Sequence, residues 1–259
     1  MSRLLIASVD RFGPLQNDVR DGLGDLAQDL VTVGAGQVIV PEGAPSRLRL
    51  LSRGIAVRQH VLADGGRQIL GFAVPGDLLD LSGLFTGVDH EVRALGPCEV
   101  RQVAAHEVRF LIRRHPSLLA ALCRAVMTEG RMQRNWMVGL GRRTALSRTA
   151  NLLCEIYARQ AVVALALESR CPFPALQADI ADALGLSAVH THRVLRTLTK
   201  MGLATVREGY LTIHDWDGLA ALAEFDPEGL RPMHDPRAAA AARLGPTPEG
   251  AARIKAAVG

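Results

Sequence analysis

Two histidines, His190 and His192, stand one residue apart in the stretch ADALGLSAVHTHRVLRTL (181–198), with Arg193 beside them. Close histidines suggest a metal chelate; a basic cluster on an apolar scaffold suggests contact with an acidic polymer. Helical geometry separates these options. Residues i and i+2 of a helix point about 200° apart, so the pair could share a metal only on a strand. No nearby Cys, Asp or Glu completes a ligand set, because Asp179 and Asp182 fall on the preceding helix. The four cysteines, Cys98, Cys123, Cys154 and Cys171, form no CxxC pair and read as buried, reduced thiols. No metal site and no cofactor is expected.

The elements that must position these side chains are two helices and a wing. In QADIADALGLSAVHTHRVLR (177–196), Ala181 holds the fifth place and Gly185 the ninth. A small residue at the fifth lets two helices cross closely, and glycine at the ninth permits a left-handed turn. Ser187 is a natural N-cap for a second helix over about 188–200. Ile180, Leu184, Leu186, Thr191, Val194 and Leu195 are the motif's inward candidates, and Leu198 joins the inward face of the second helix. Ala188, Val189, His190, His192, Arg193 and Arg196 face outward. This is a helix-turn-helix, and GLATVREGYLTIHD after it supplies two short strands, as in a winged helix. A recognition helix sets its N-terminal outward residues against base edges in the major groove. Arg193 can present a bidentate fork to guanine, worth roughly 1–3 kcal/mol of discrimination. Val189 can rest on a thymine methyl, and His190 can meet a base or a phosphate. His192 and Arg196 lie toward the flank. Gln177, opening the first helix, can bond a backbone phosphate. The expected partner is double-stranded DNA.

The rest of the chain frames that motif. Of 259 residues, 48% are hydrophobic, enough for sizeable cores, and 4% are aromatic, too few for a single-strand stacking platform. The net charge of +4 fits a phosphate-bearing partner without demanding one. Residues 15–30 show helical spacing at Leu15, Val19, Leu23, Leu26 and Leu30. From about 31 to 104, turn signals alternate with short runs such as QVIV, IAVRQHVL, RQILGFAV and EVRQVA, the texture of an antiparallel roll or sandwich. DGG (64–66) reads as a hairpin turn. From 106 the period is helical, and Pro116 starts the main helix. Leu118, Leu122, Ala125, Glu129, Met132 and Trp136 alternate at four and three along it, an approximate seam for a second copy of the chain. A helix follows over 143–163, then a loop with CPFP (171–174), and from 231 an Ala/Pro/Arg-rich tail. MSRLLIASVDRFG is too short for a signal core or a membrane span, so a soluble cytoplasmic protein is expected. There is no nucleophile elbow, P-loop, HExxH or convincing carboxylate pair, so no enzyme is expected.

A β-roll, a long helix and a winged helix-turn-helix, in that order, resemble the CRP/FNR family of bacterial transcription regulators over about residues 15–225. The segments that carry the resemblance are PGDLLDLSGLF (75–85), CEVRQVAAHEVRFLIRRHP (98–116) and LQADIADALGLSAVHTHRVLRTLTKMGLATVREGYLTI (176–213). The resemblance implies an α+β chain in four parts: a cyclic-nucleotide-binding-like, antiparallel β-roll (jelly roll) sensor over 1–110, a dimerisation helix over 111–141, a winged helix-turn-helix over 142–230 and a flexible tail over 231–259. It implies a homodimer on near-palindromic promoter sites, with RNA polymerase as a further candidate partner. Departures narrow it. Members that bind cyclic nucleotides carry a Gly-Glu pair where this chain has Asp80 and Leu81, and an Arg-Ser/Thr pair near Val88, Asp89 and His90. Asp80 and Asp89 would repel a cyclic phosphate. The cysteine cluster of the oxygen-sensing branch is missing before Cys98, and haem ligation would rest on a lone histidine such as His60 or His90. The effector is therefore unassigned. Of the Arg, Glu and Arg often found at the positions of Ala188, Val189 and Arg193, only Arg193 remains, so the half-site should differ from the best-known consensus. The competing reading is a redox- or ligand-sensing protein of the same fold, using the roll and Cys98 or Cys123, that acts through protein contacts.

Overall fold

The computed structural model describes residues 3–45 and 47–226, and the tail expected over 231–259 lies outside them. The chain divides into two compact units at residues 130 and 131.

The first unit opens with two short helices, α1 (Arg3–Asp10) and α2 (Asn17–Asp25). Seven strands follow: β1 (Asp29–Val33), β2 (Val38–Val40), β3 (Arg47–Arg53), β4 (Ala56–Val61), β5 (Arg67–Ala73), β6 (Glu91–Ala94) and β7 (Cys98–Ala104). They form two antiparallel sheets of order β1-β7-β3 and β2-β6-β4-β5. Alternation sorts their side chains. Leu51, Ala56, Ala73, Val92 and Val100 meet in a core shared by both sheets. Leu48, Leu50 and Val103 enter a second core with Leu5, Val19, Leu23 and Leu111 of the helices. The DGG turn closes the β4–β5 hairpin: Gly65 takes φ +84°, and the Leu62 N–H donates to the Gly66 carbonyl at 2.7 Å.

Helix α3 (Ala105–Arg114) and helix α4 (Pro116–Arg142) meet at His115 and Pro116, where a proline suits a first helical turn. The face of α4 expected to join two chains does not lie free. Leu118, Leu122 and Ala125 are buried in the unit's own core, and Glu129 pairs with Arg58 at 3.0 Å. Leu119, Cys123, Val126, Gln133, Met137 and Leu140, one position further round, are exposed. Two other expectations also shift. The helix read over 15–30 ends at Asp25, because Leu26 turns extended (ψ 130°) and Leu30 enters β1. The N-terminal apolar run forms α1.

The second unit holds α5 (Ala145–Val162), β8 (Arg170–Pro172), α6 (Gln177–Leu184), α7 (Ala188–Lys200), β9 (Ala204–Arg207), β10 (Tyr210–Ile213) and α8 (Trp216–Ala223). Strand β8, read from sequence as loop, pairs with β10 to give the antiparallel order β8-β10-β9. Ile180, Ala183, Leu198, Leu211, Leu219 and Phe173 are buried. Within this unit Trp136 donates from Nε1 to the buried Glu155 carboxylate at 2.7 Å, and Asn135 donates to Asn151 at 2.8 Å. No described helix is long and apolar enough to cross a membrane.

Candidate nucleic-acid interface

The interface is built on α6 and α7. Gly185 ends α6 at φ +59°, ψ 43°, a left-handed conformation that costs glycine no steric penalty. Ser187 then caps α7: its hydroxyl accepts the His190 N–H at 3.2 Å. Thr191, Val194 and Leu198 are buried and fix the rotation of α7. That rotation leaves Ala188, Val189, His190, His192, Arg193 and Arg196 exposed, as the spacing predicts, and Val189 keeps 63% of its surface open. No described residue holds the guanidinium of Arg193 or Arg196 or either imidazole. These donors are free for a ligand. Gln177 is exposed at the first residue of α6. Ser187, also expected at the DNA, is exposed; its hydroxyl oxygen caps α7 and its O–H remains available as a donor.

The structure adds residues that the sequence reading missed. A concave surface beside α7 is lined by Ser187, Val189, His190 and Arg193 on one side and by Thr144, Ala145 and Leu146 on the other. Thr144 caps α5, accepting the Ser147 N–H at 3.2 Å. Threonine is a residue type that favours the N-cap position, but only the fold sets that helix start next to α7. In the wing, Glu208 and Gly209 turn at φ +53° and +78°, and the Arg170 guanidinium lies 3.8 Å from the centre of the exposed Tyr210 ring.

The other residues with potential chemistry are engaged elsewhere. Asp80 is 3% exposed and accepts the Ser82 hydroxyl at 2.6 Å and the Gly83 N–H at 3.1 and 3.2 Å. His90 lies against Asp89 at 2.8 Å, which holds the Asp89 carboxyl below its usual range. Arg93 pairs with Glu91 at 2.8 Å and donates to the Gly36 carbonyl at 2.7 Å. Burial pushes the Cys98 thiol up to about 11 and the Cys171 thiol up to about 12, and raises Cys154 further. Cys123 is exposed, against the expectation of four buried thiols. Among the described residues no three His, Cys, Asp or Glu side chains converge as metal ligands would.

Comparison with known proteins agrees with this arrangement. Residues 30–115 match the cyclic nucleotide-binding domain, and residues 147–222 match the Crp-like helix-turn-helix domain. The nitrogen fixation regulation protein FixK of Bradyrhizobium diazoefficiens is 33% identical over 173 residues, covering 66% of this chain and 71% of that one. The transcriptional activator protein FnrL of Cereibacter sphaeroides is 28% identical over 208 residues, 77% of this chain and 82% of that one. The structure of FixK2 from Bradyrhizobium japonicum superposes with a TM-score of 0.70 at 24% identity, covering 76% of this chain and 98% of that one. With both domain types present in this order and a relative of that similarity, the chain belongs to the CRP/FNR family of transcription regulators.

Proposed function

We propose that this regulator binds near-palindromic promoter DNA in the cytoplasm as a homodimer, reading each half-site with α7. The observation that carries the reading is the set of unengaged donors on α7, Arg193 foremost, on a helix whose rotation is fixed by Thr191, Val194 and Leu198. Arg193 reads guanine, Val189 favours a thymine methyl, and His190 contacts a base or phosphate. His192 and Arg196 flank the groove, and Gln177 and the start of α5 at Thr144 hold phosphates. The division of labour follows the expected parts: the roll over 1–110 senses, the helical region 111–141 dimerises and 142–230 reads.

The exposed stripe of α4 supports the homodimer. The exposed Leu119, Cys123, Val126, Gln133, Met137 and Leu140, with the half-buried Gly130 between them, alternate at four and three over three heptads, the period of a two-stranded coil. The named relatives include activators, which makes RNA polymerase a candidate partner of the bound dimer. Random-site selection with the full-length protein tests the reading. It should enrich an inverted repeat, and Arg193→Ala should weaken binding about tenfold or more and relax the choice at one base pair per half-site. Selection that enriches no repeat, or an Arg193→Ala protein with unchanged discrimination, overturns it and leaves the protein-contact alternative.

A further inference from the structure

The cyclic nucleotide-binding domain that residues 30–115 match implies a small anionic ligand inside the roll. The residues present do not fit one. The amide of Gly83, in the short turn Ser82–Leu84, already donates to both oxygens of Asp80 and is not open to a phosphate. The Ser82 hydroxyl is turned onto the same carboxylate at 2.6 Å. A phosphate approaching there would meet the Asp80 carboxylate, whose charge already faces the buried Arg49 guanidinium.

A second side chain completes the replacement. Arg58, on β4, is 6% exposed. Its Nη2 donates to the Leu78 carbonyl at 2.9 Å, and its Nε lies 3.2 Å from the Leu79 carbonyl and 3.0 Å from Oε1 of Glu129. One guanidinium thus ties the segment just before Asp80 to α4, about one to three turns along the same helix from the exposed residues Val126, Cys123 and Leu119. Buried charges of this kind are strongly coupled to their partners, because removing one leaves the other unpaired.

We infer that the roll is liganded by its own side chains: Asp80 stands where an anionic effector would bind, Arg58 and Glu129 join the roll to α4, and the regulator binds DNA with no small molecule added. The consequence for DNA rests on the function proposed above; the lock itself does not. Glu129 is half-buried, so its replacement tests the joint without opening the core.

The full-length protein and its Glu129→Ala variant are compared by DNA-binding titration on the selected repeat, with cyclic AMP at millimolar concentration as the probe, and by amide hydrogen exchange over 116–130. The untreated protein should bind DNA, cyclic AMP should leave its affinity within twofold, and Glu129→Ala should weaken binding about tenfold, an ordinary coupling between sites. Exchange over 116–130 should speed up in the variant. A tenfold gain in affinity with cyclic AMP overturns the inference, as does unchanged exchange in folded Glu129→Ala. If Glu129→Ala does not fold, Glu129→Gln, which keeps an acceptor and loses the charge, carries the same comparison. A protein that binds no duplex refutes the DNA-binding reading, while the exchange result still decides the lock.

Discussion

The roles proposed for Arg193 and the two histidines beside it follow from helix geometry rather than from residue type. On α7 the imidazoles diverge, and the donors that stay free face outward with Arg193. Val189, exposed at a position where polar side chains would be costless, is the more informative neighbour: an apolar group kept in water is suited to a methyl in the groove. Among the thiols, environment again outweighs type. Cys98 sits under the Ile55 carbonyl at 3.4 Å, and Cys154 and Cys171 are buried in the second unit. All three are held protonated by burial, and only a thiolate attacks an alkylating reagent. Treating the native protein with iodoacetamide should therefore leave Cys98, Cys154 and Cys171 unmodified, as read by peptide mass mapping. Rapid modification of any of them before unfolding would contradict the packing around it, and would reopen the redox-sensing alternative for Cys98.

At the scale of elements, α4 shows why two faces of one helix are hard to tell apart. Both carry apolar residues at three-and-four spacing, and they differ by one position. Leu118, Leu122 and Ala125 are covered by α1, α2 and the roll, whereas Leu119, Cys123 and Val126 are not. The two faces should respond differently. Leu118→Ala should cost about 2–5 kcal/mol of stability with the dimer retained, as for other buried leucines. Val126→Glu should give a folded monomer, since two carboxylates would face each other across the seam. Diamide should cross-link the wild-type chains through Cys123 and leave Cys123→Ser uncross-linked; sedimentation and a non-reducing gel read both results. A Val126→Glu protein that stays dimeric would place the seam elsewhere.

The helix-turn-helix was legible in the sequence because its determinants are local: Gly185 for the turn, Ser187 for the cap, Thr191, Val194 and Leu198 for the buried face. The exposed face of α4 was not, because which apolar face a domain covers is decided by α1 and α2, which lie about a hundred residues before it. Strand β3 hid behind RLRLLSR, whose Arg49 is buried on the inner face, and β8 hid behind the prolines of CPFP. Thr144 could be read as a cap but not as a wall of the α7 groove.

Across the whole molecule, the two units carry the buried thiols unequally, and this makes their response to alkali separable. Cys98 lies in the first unit, Cys154 and Cys171 in the second. In an unfolded chain a thiol ionises near about 8.5. In the folded protein Cys98 holds its proton to about 11 and Cys171 to about 12, with Cys154 higher still. Between those limits the unfolded state binds fewer protons than the folded one, so stability falls as pH rises. The contribution is complete below about 8.5 and fades as pH climbs toward the folded values, by at most about 1.4 kcal/mol per pH unit for each thiol. The second unit, with two such groups, should lose stability more steeply than the first. Urea unfolding at a series of alkaline pH values, followed by hydrogen exchange to assign each transition to its unit, measures the two slopes. Cys171→Ala should flatten the slope of the second unit and leave that of the first unchanged, and Cys123→Ser should change neither. Equal slopes in the two units, or a Cys171→Ala slope identical to wild type, would mean that other groups govern the alkaline limb.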